Sequence, residues 1–289
     1  MHSSAFSYII GHRRFVNIVT NGKYGKETLK MYENITYEVK DGIGYLTINR
    51  PKALNALNTE VLKEIQKCLD EDIAPDDSIN VVIVTGAGRA FVAGADIVEM
   101  KDATTNEGHA YTERGHKVMN TIDHMPKIFI AAVNGFALGG GCELSMACDI
   151  RLASEKAVFG QPEVGLGIIP GFGGTQRLPR LVGKGMAKYI ILSATNIRAD
   201  EAYRIGLVQK VVAPEELMPE AEKLAKKISS KAPIAVRQAK AAINAGLDAD
   251  LNTGSRFEIE AMTQCFASED KTEGMTAFVE KRDPEFKNK

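Results

Sequence analysis

The chain has 289 residues, 36 Lys+Arg against 37 Asp+Glu for a formal net charge of −1, 44% hydrophobic and 25% charged residues. That balance excludes disorder over most of the chain and offers no basic surplus for a dedicated nucleic-acid binder. No run approaches the roughly 20 apolar residues of a membrane span, so no membrane association is expected.

Residues 1–30 differ from the rest of the chain. They hold Arg13, Arg14, Lys23, Lys26 and Lys30 against a single acid, Glu27. The segment reads either as a mitochondrial-type transit peptide or as a leader ahead of Met31, where a well-patterned domain begins. It is set aside from fold reasoning. The first reading places the protein in the mitochondrial matrix, and a bacterial origin places it in the cytoplasm.

From Ile35 the pattern is regular. Ile35–Val39 and Ile43–Ile48 alternate around Asp41-Gly42, which predicts a β-hairpin. Asn58 or Thr59 is placed to cap a helix to about Asp70, with Val61, Leu62, Ile65, Cys68 and Leu69 on one stripe. Val81–Val84 is a short continuous apolar run, the mark of a buried strand. A loop rich in Gly and Ala comes next, then a polar helix over about residues 108–124. Ile128–Val133 predicts a second buried strand, leading through Asn134-Gly135 and Gly139–Gly141 into a short helix to about Cys148. Strands are expected near Asp149–Ala153 and Ala157–Phe159. From Thr175 helices dominate, broken by a strand at Leu207–Val212, with helical spacing over Lys223–Ser229, Ile234–Ala245, Leu251–Phe266 and Ser268–Lys281. The sequence thus predicts an α/β core over residues 31–225 and a helical region over 226–289 that packs against another subunit.

Cys68, Cys142, Cys148 and Cys265 form no Cys-x-x-Cys pair, which points away from disulfides and zinc toward a reduced compartment. His109, His116 and His124, seven and eight apart, read as a solvated helix surface in preference to a metal site.

Glycine is the compositional outlier, 26 residues where average composition gives about 20. The surplus gathers at Gly86-Ala87-Gly88, Gly94-Ala95-Asp96, Gly139–Gly141 and Gly165 through Gly174, all at junctions between elements. Single glycine turns are commonplace, but four within ninety residues suggest a ligand cradle. Neither usual phosphate loop fits. Gly183-Lys184-Gly185-Met186 lacks the hydroxyl residue and spacing of a P-loop. Gly86-Ala87-Gly88 and Gly165-Leu166-Gly167 do not complete a dinucleotide fingerprint. What remains is a site of backbone N–H groups, with Ala95 after a buried strand and Gly140 at a helix N-terminus as candidate donors to an oxyanion. Glu143 and Glu163 lie in apolar surroundings and are candidate buried acids with raised pKa.

At these residues the chain resembles the crotonase (enoyl-CoA hydratase) superfamily. The resemblance rests on Asn49 through Leu57, Phe91 through Ile97, Ala131 through Gly135, Gly139 through Leu144, Phe159 through Glu163, Pro170 through Leu178 and Glu273 through Arg282. It covers residues 31–289 in order. It implies a ClpP-like spiral of strand–strand–helix (ββα) units with a C-terminal helical trimerisation region, assembled as a homohexamer, a dimer of trimers. It implies an acyl-CoA ligand whose thioester oxygen is held by the N–H groups of Ala95 and Gly140. It assigns Lys52, Ala53, Asp96, Ile97 and Val98 to the CoA site. Both glutamates match the true hydratases. The expected reaction is therefore reversible hydration of a trans-2-enoyl-CoA, with Glu143 activating water, Glu163 protonating C2 and Gly171 offering a further N–H to the water. Coenzyme A is part of the substrate, and no metal or other cofactor is expected. The rivals are an enoyl-CoA isomerase of the same fold, an RNA-binding relative and a catalytically inert acyl-CoA binder; charge balance weighs against the second and two intact acids against the third.

Overall fold

The computed structural model of the protein describes residues 4–10, 13–22 and 25–289. Ahead of the predicted hairpin, β1 (Ser4–Ile10), β2 (Arg13–Gly22) and β3 (Gly25–Met31) form an antiparallel meander, and β3 pairs with β4 (Ile35–Lys40) from Met31↔Thr36 to Thr28↔Val39. The segment set aside on composition thus continues the sheet. β4 and β5 (Ile43–Ile48) make the expected hairpin. Asp41 and Gly42 take φ of 52° and 73°, the left-handed pair that a two-residue hairpin turn demands.

Helix α1 (Thr59–Cys68) starts at Asn58, whose side chain accepts the Val61 N–H at 2.9 Å, and ends in a π turn over Leu69–Ile73. β6 (Val81–Gly86), β7 (Ala90–Val92), α2 (Ile97–Met100) and α3 (Thr105–His124) come next. The long helix begins three residues before its predicted start because Thr104 and Glu107 close a reciprocal capping box. Then come β8 (Ile128–Val133), β9 (Phe136–Leu138), α4 (Gly140–Ala147), β10 (Ile150–Ser154) and β11 (Val158–Gly160). After a 3₁₀ turn at Glu163–Leu166 run α5 (Gly174–Ser193, broken at Gly183), β12 (Ile197–Arg198), α6 (Ala199–Arg204) and β13 (Lys210–Val212). The last strand is shorter than its apolar run, since the N–H groups of Leu207 and Val208 both close α6 by bonding Ala202 O. Four helices complete the chain: α7 (Leu217–Ser229), α8 (Pro233–Leu247), α9 (Leu251–Phe266) and α10 (Glu269–Glu280).

The strands form two sheets, in the orders β1-β2-β3-β4-β5-β6-β8-β10-β13 and β12-β11-β9-β7. From β6 onward each long strand joins the large sheet in parallel, and each three-residue strand after it joins the small one, before a helix returns the chain. This is the ββα spiral. The continuous apolar runs are explained by cover on both faces of the large sheet. Val82, Val84, Phe129, Ala131 and Val133 face the main core beside α1 and α3. Val81, Ile83, Ile128, Ile130 and Ala132 face a second cluster closed by Leu217, Ala221 and Ala225 of α7. Each fully buried aliphatic side chain contributes about 1.5–3 kcal/mol. β7 and β9 escaped the sequence reading because each is only three residues long and lies among the glycines that read as loop.

The C-terminal helices differ. α9 buries no residue, and Leu251, Phe257, Met262 and Phe266 on it are exposed, as are Phe278 and Val279 on α10. No helix among the described residues is long and apolar enough to cross a membrane.

Candidate active site

The site is assembled where the two sheets hand the chain to α2 and α4. The residues after β7 run beside the turn Leu54–Leu57: Ala93 N–H donates to Leu54 O (3.0 Å), Leu57 N–H to Gly94 O (2.9 Å) and Asp96 N–H to Leu57 O (2.8 Å). These bonds alternate around Ala95, whose own N–H has no acceptor among the described residues. The turn is pinned by Asn55, fully buried at φ 61°, whose amide donates to Ala87 O and Ala90 O at 2.9 and 2.8 Å and whose oxygen accepts the Arg50 N–H. Across from it, α4 starts at Gly140. As the first helical residue it has no intrahelical acceptor, and its N–H stands free among the described residues. A Cβ at Gly141 would lie 1.9 Å from Val92 O, so only glycine lets the start of α4 press against the end of β7. That contact brings Ala95 and Gly140 to one place.

Glu143, one turn into α4, is 1% exposed. Its Oε1 accepts the N–H groups of Phe172 (2.8 Å) and Gly174 (2.6 Å), at the N-terminus of α5. Burial pushes its carboxyl up to about 7 against the pull of those donors, and the charge of Glu163 adds to the rise. Glu163 opens the 3₁₀ turn after β11 and is 9% exposed. Burial pushes its carboxyl to about 7 as well. With its amide nitrogen turned toward that carboxylate, Gln161 donates to both oxygens, at 3.0 and 3.2 Å. Cys142, beside Glu143, is buried and its thiol is pushed up to about 12, which keeps it protonated.

One cavity of about 1200 Å³ is lined by Ala95, Gly140, Glu143, Glu163 and Gly171 together, with Phe172 and the face of α3 that carries Tyr111 and His116. Two fixed N–H donors and two near-neutral carboxyls can thus meet one substrate, stabilising an oxyanion and moving protons beside it. Of the residues the resemblance assigned to CoA, Ala53, Asp96 and Val98 line an adjoining cleft of about 590 Å³, which shares Thr59 and Glu99 with the main cavity. Lys52 lies exposed on the 3₁₀ turn Pro51–Ala53, and Ile97 is 45% exposed; neither lines these two cavities. The Asp96 carboxylate accepts from Arg50 Nη1 at 2.7 Å and caps α2 through the Val98 N–H.

Several contributors were not singled out from the sequence. Phe172, Gly174 and Gln161 lie in stretches quoted for the resemblance, but there only Gly171 and Glu163 were given a role. Asn55 and Arg50 gave no pattern of their own. His116 is half-buried on the cavity wall, where burial and then Arg177 lower its pKa, whereas His109 and His124 are exposed as expected.

Residues 38–289 match the protein family described as enoyl-CoA hydratase/isomerase. The chain is 57% identical over 258 residues to the short-chain-enoyl-CoA hydratase of Clostridium acetobutylicum, covering 89% of this chain and 98% of that protein. It is 54% identical over 259 residues to the crotonyl-CoA hydratase of Syntrophomonas wolfei, covering 89% and 99%. The 1.8 Å crystal structure of an enoyl-CoA hydratase from Bacillus anthracis superposes with a TM-score of 0.86 at 42% identity, covering 89% of this chain and all of that one.

Proposed function

The chain belongs to the enoyl-CoA hydratase/isomerase family and its reaction is enoyl-CoA hydration, a hydro-lyase reaction; we propose that it acts on short-chain trans-2-enoyl thioesters such as crotonyl-CoA. The observation that carries the reading is the meeting, in one cavity, of two buried carboxyls and two N–H groups that are unpaired among the described residues.

In this reading the thioester oxygen sits between the N–H groups of Ala95 and Gly140, which with the dipole of α4 stabilise the charge that gathers there. Water, held by the acids and by Gly171, adds its oxygen to C3 while the Glu143 carboxylate takes its proton. Glu163 delivers a proton to C2, and the product is the 3-hydroxyacyl-CoA. One acid must enter charged and the other protonated, a condition that two carboxyls near pH 7 meet at neutral pH. Lys52, Ala53 and the Asp96–Val98 stretch flank the CoA moiety. The chemistry calls on no metal or further cofactor and on no nucleic acid. The apolar residues exposed on α9 and α10 support assembly as a hexamer built from trimers, which sedimentation would show as six times the chain mass. The compartment is the cytoplasm of a bacterium, or the mitochondrial matrix where residues 1–30 act as a transit peptide.

The deciding experiment offers crotonyl-CoA, longer trans-2-enoyl-CoAs and a 3-enoyl-CoA to the purified protein. Crotonyl-CoA should be hydrated fastest. Faster turnover of the long chains removes the short-chain reading, and consumption of the 3-enoyl thioester without hydration replaces the hydratase by an isomerase.

A further inference from the structure

The loop Pro170–Gly174 presents two N–H groups to Glu143, and three of its five residues are glycine, so its direction is fixed by few side chains. Phe172 is its apolar anchor: the ring lies against Gly115 of α3 and stacks obliquely on Tyr111 at 5.3 Å between centroids. On the opposite side the loop meets Arg177, one turn into α5. A Cβ at Gly173 would stand 2.4 Å from Arg177 Nη1, so the guanidinium is packed directly on the backbone of that residue, which holds φ 106°. Nη1 also reaches Phe172 O at 3.4 Å, while Nη2 donates to Asn120 Oδ1 at 2.9 Å and to Asp123 Oδ2 at 3.0 Å, both on α3. Asp123 is held in turn by Asn244 of α8, which donates to its backbone carbonyl and its Oδ1. The guanidinium therefore bridges a fixed point on α3 to the backbone whose N–H groups bind Glu143, without lining the cavity that takes the substrate.

We propose that Arg177 is a positioning residue for the reaction: its fork, anchored on Asn120 and Asp123, holds the Phe172–Gly174 backbone so that both N–H groups stay on Glu143 and keep that carboxyl charged. The inference rests on the reading of Glu143 as the base. The groups that interact with Glu143 are Tyr111 from α3, Cys142 on its own helix, Glu163 from the 3₁₀ turn and Arg177 from α5, and His116 of α3, beside Arg177, lines the same cavity. Arg177 supplies the positive charge among them, and the loop N–H groups supply the direct donors. Removing the guanidinium takes away one and loosens the other, and both losses favour the protonated carboxyl.

The test compares wild type with Arg177→Gln in two ways. The pH profile of crotonyl-CoA hydration should have its acid limb displaced upward by about one pH unit, with kcat at pH 6 lowered by up to about tenfold. KM should change less than about twofold, because Arg177 does not line the substrate cavity. In substrate-free protein, infrared titration of ¹³C-labelled glutamate, with Glu143→Gln subtracted, should show the same upward displacement for Glu143. If Arg177→Gln does not fold, Asp123→Asn removes the charged anchor and should move both readouts the same way by a smaller amount. Coincidence of the variant's acid limb and infrared midpoint with wild type overturns the proposal, whatever happens to kcat. A wild-type protein that hydrates no enoyl-CoA would remove the base reading instead, and the infrared comparison would still decide the positioning role.

Discussion

The two acids of the cavity are housed in different ways. Glu143 stands on a helix, is almost wholly buried, and gives its Oε1 to two backbone donors at the N-terminus of α5. Glu163 stands on a short 3₁₀ turn that leads to the exposed Leu166, Ile168 and Ile169, and meets a side-chain amide, Gln161. Both carboxyls are pushed to about 7 by burial; at Glu143 two backbone donors from the start of α5 oppose the push, and at Glu163 its own backbone N–H does, so the two differ in the number and origin of their fixed donors. Backbone N–H groups cannot rotate away, whereas an amide side chain can turn to accept or donate. A near-neutral carboxyl in a fixed nest is suited to a base, and one beside an adaptable amide is suited to an acid that must both give and regain a proton. The proposed division of labour rests on that contrast.

The largest expected effects test it directly. Glu143→Gln and Glu163→Gln should each lower kcat for crotonyl-CoA hydration about 10²–10⁴-fold. The glutamine at 143 still accepts both loop N–H groups, so its loss is one of proton transfer alone. Exchange of the C2 protons of butyryl-CoA with D₂O, which needs the oxyanion donors and the C2 acid but no water addition, should survive Glu143→Gln and vanish in Glu163→Gln. The reverse pattern would exchange the two roles.

Stability offers a second and smaller measure. A carboxyl whose folded pKa is raised from 4.5 to about 7 favours folding fully only below its unfolded value, and that contribution is lost as pH rises through the folded one. Wild type should therefore lose stability between about pH 4.5 and 7 relative to Glu143→Gln, by up to roughly 3 kcal/mol. Thermal unfolding at pH 5 and pH 8 gives the difference. A Glu143→Gln advantage no larger at pH 8 than at pH 5 would mean that the carboxyl is not raised.

The smallest effect is expected beside the first acid. Cys142→Ala should retain near-wild-type turnover, since the buried thiol is protonated and forms no part of the proposed chemistry. Loss of activity in a folded variant would bring the thiol into the mechanism and undo the comparison of two carboxyls.

What local chemistry can encode was already legible in the chain. Asp41-Gly42 specified a hairpin because few pairs tolerate two left-handed residues. The runs Val81–Val84 and Ile128–Val133 specified strands covered on both faces because no solvent-facing position interrupts them. The four glycine junctions pointed to a site of backbone N–H groups, with Ala95 and Gly140 in two of them and Glu143 and Glu163 a few residues away, since close backbone approach leaves glycine in the sequence; the family came from the resemblance of seven stretches taken together. Other features depended on meetings between distant segments and left no such trace. Phe172 and Gly174 direct their N–H groups at Glu143 only because α5 begins about thirty residues later against α4. Asn55 joins three carbonyls between Ala87 and Phe91 that lie far from it in sequence. Residues 1–30 read by composition as a transit peptide or a leader, yet the backbone of Ser4–Ile10, Arg13–Gly22 and Gly25–Met31 adds three strands to the sheet. Composition and period report what each segment buries on its own, whereas the direction of an N–H group is set by packing that the whole fold supplies.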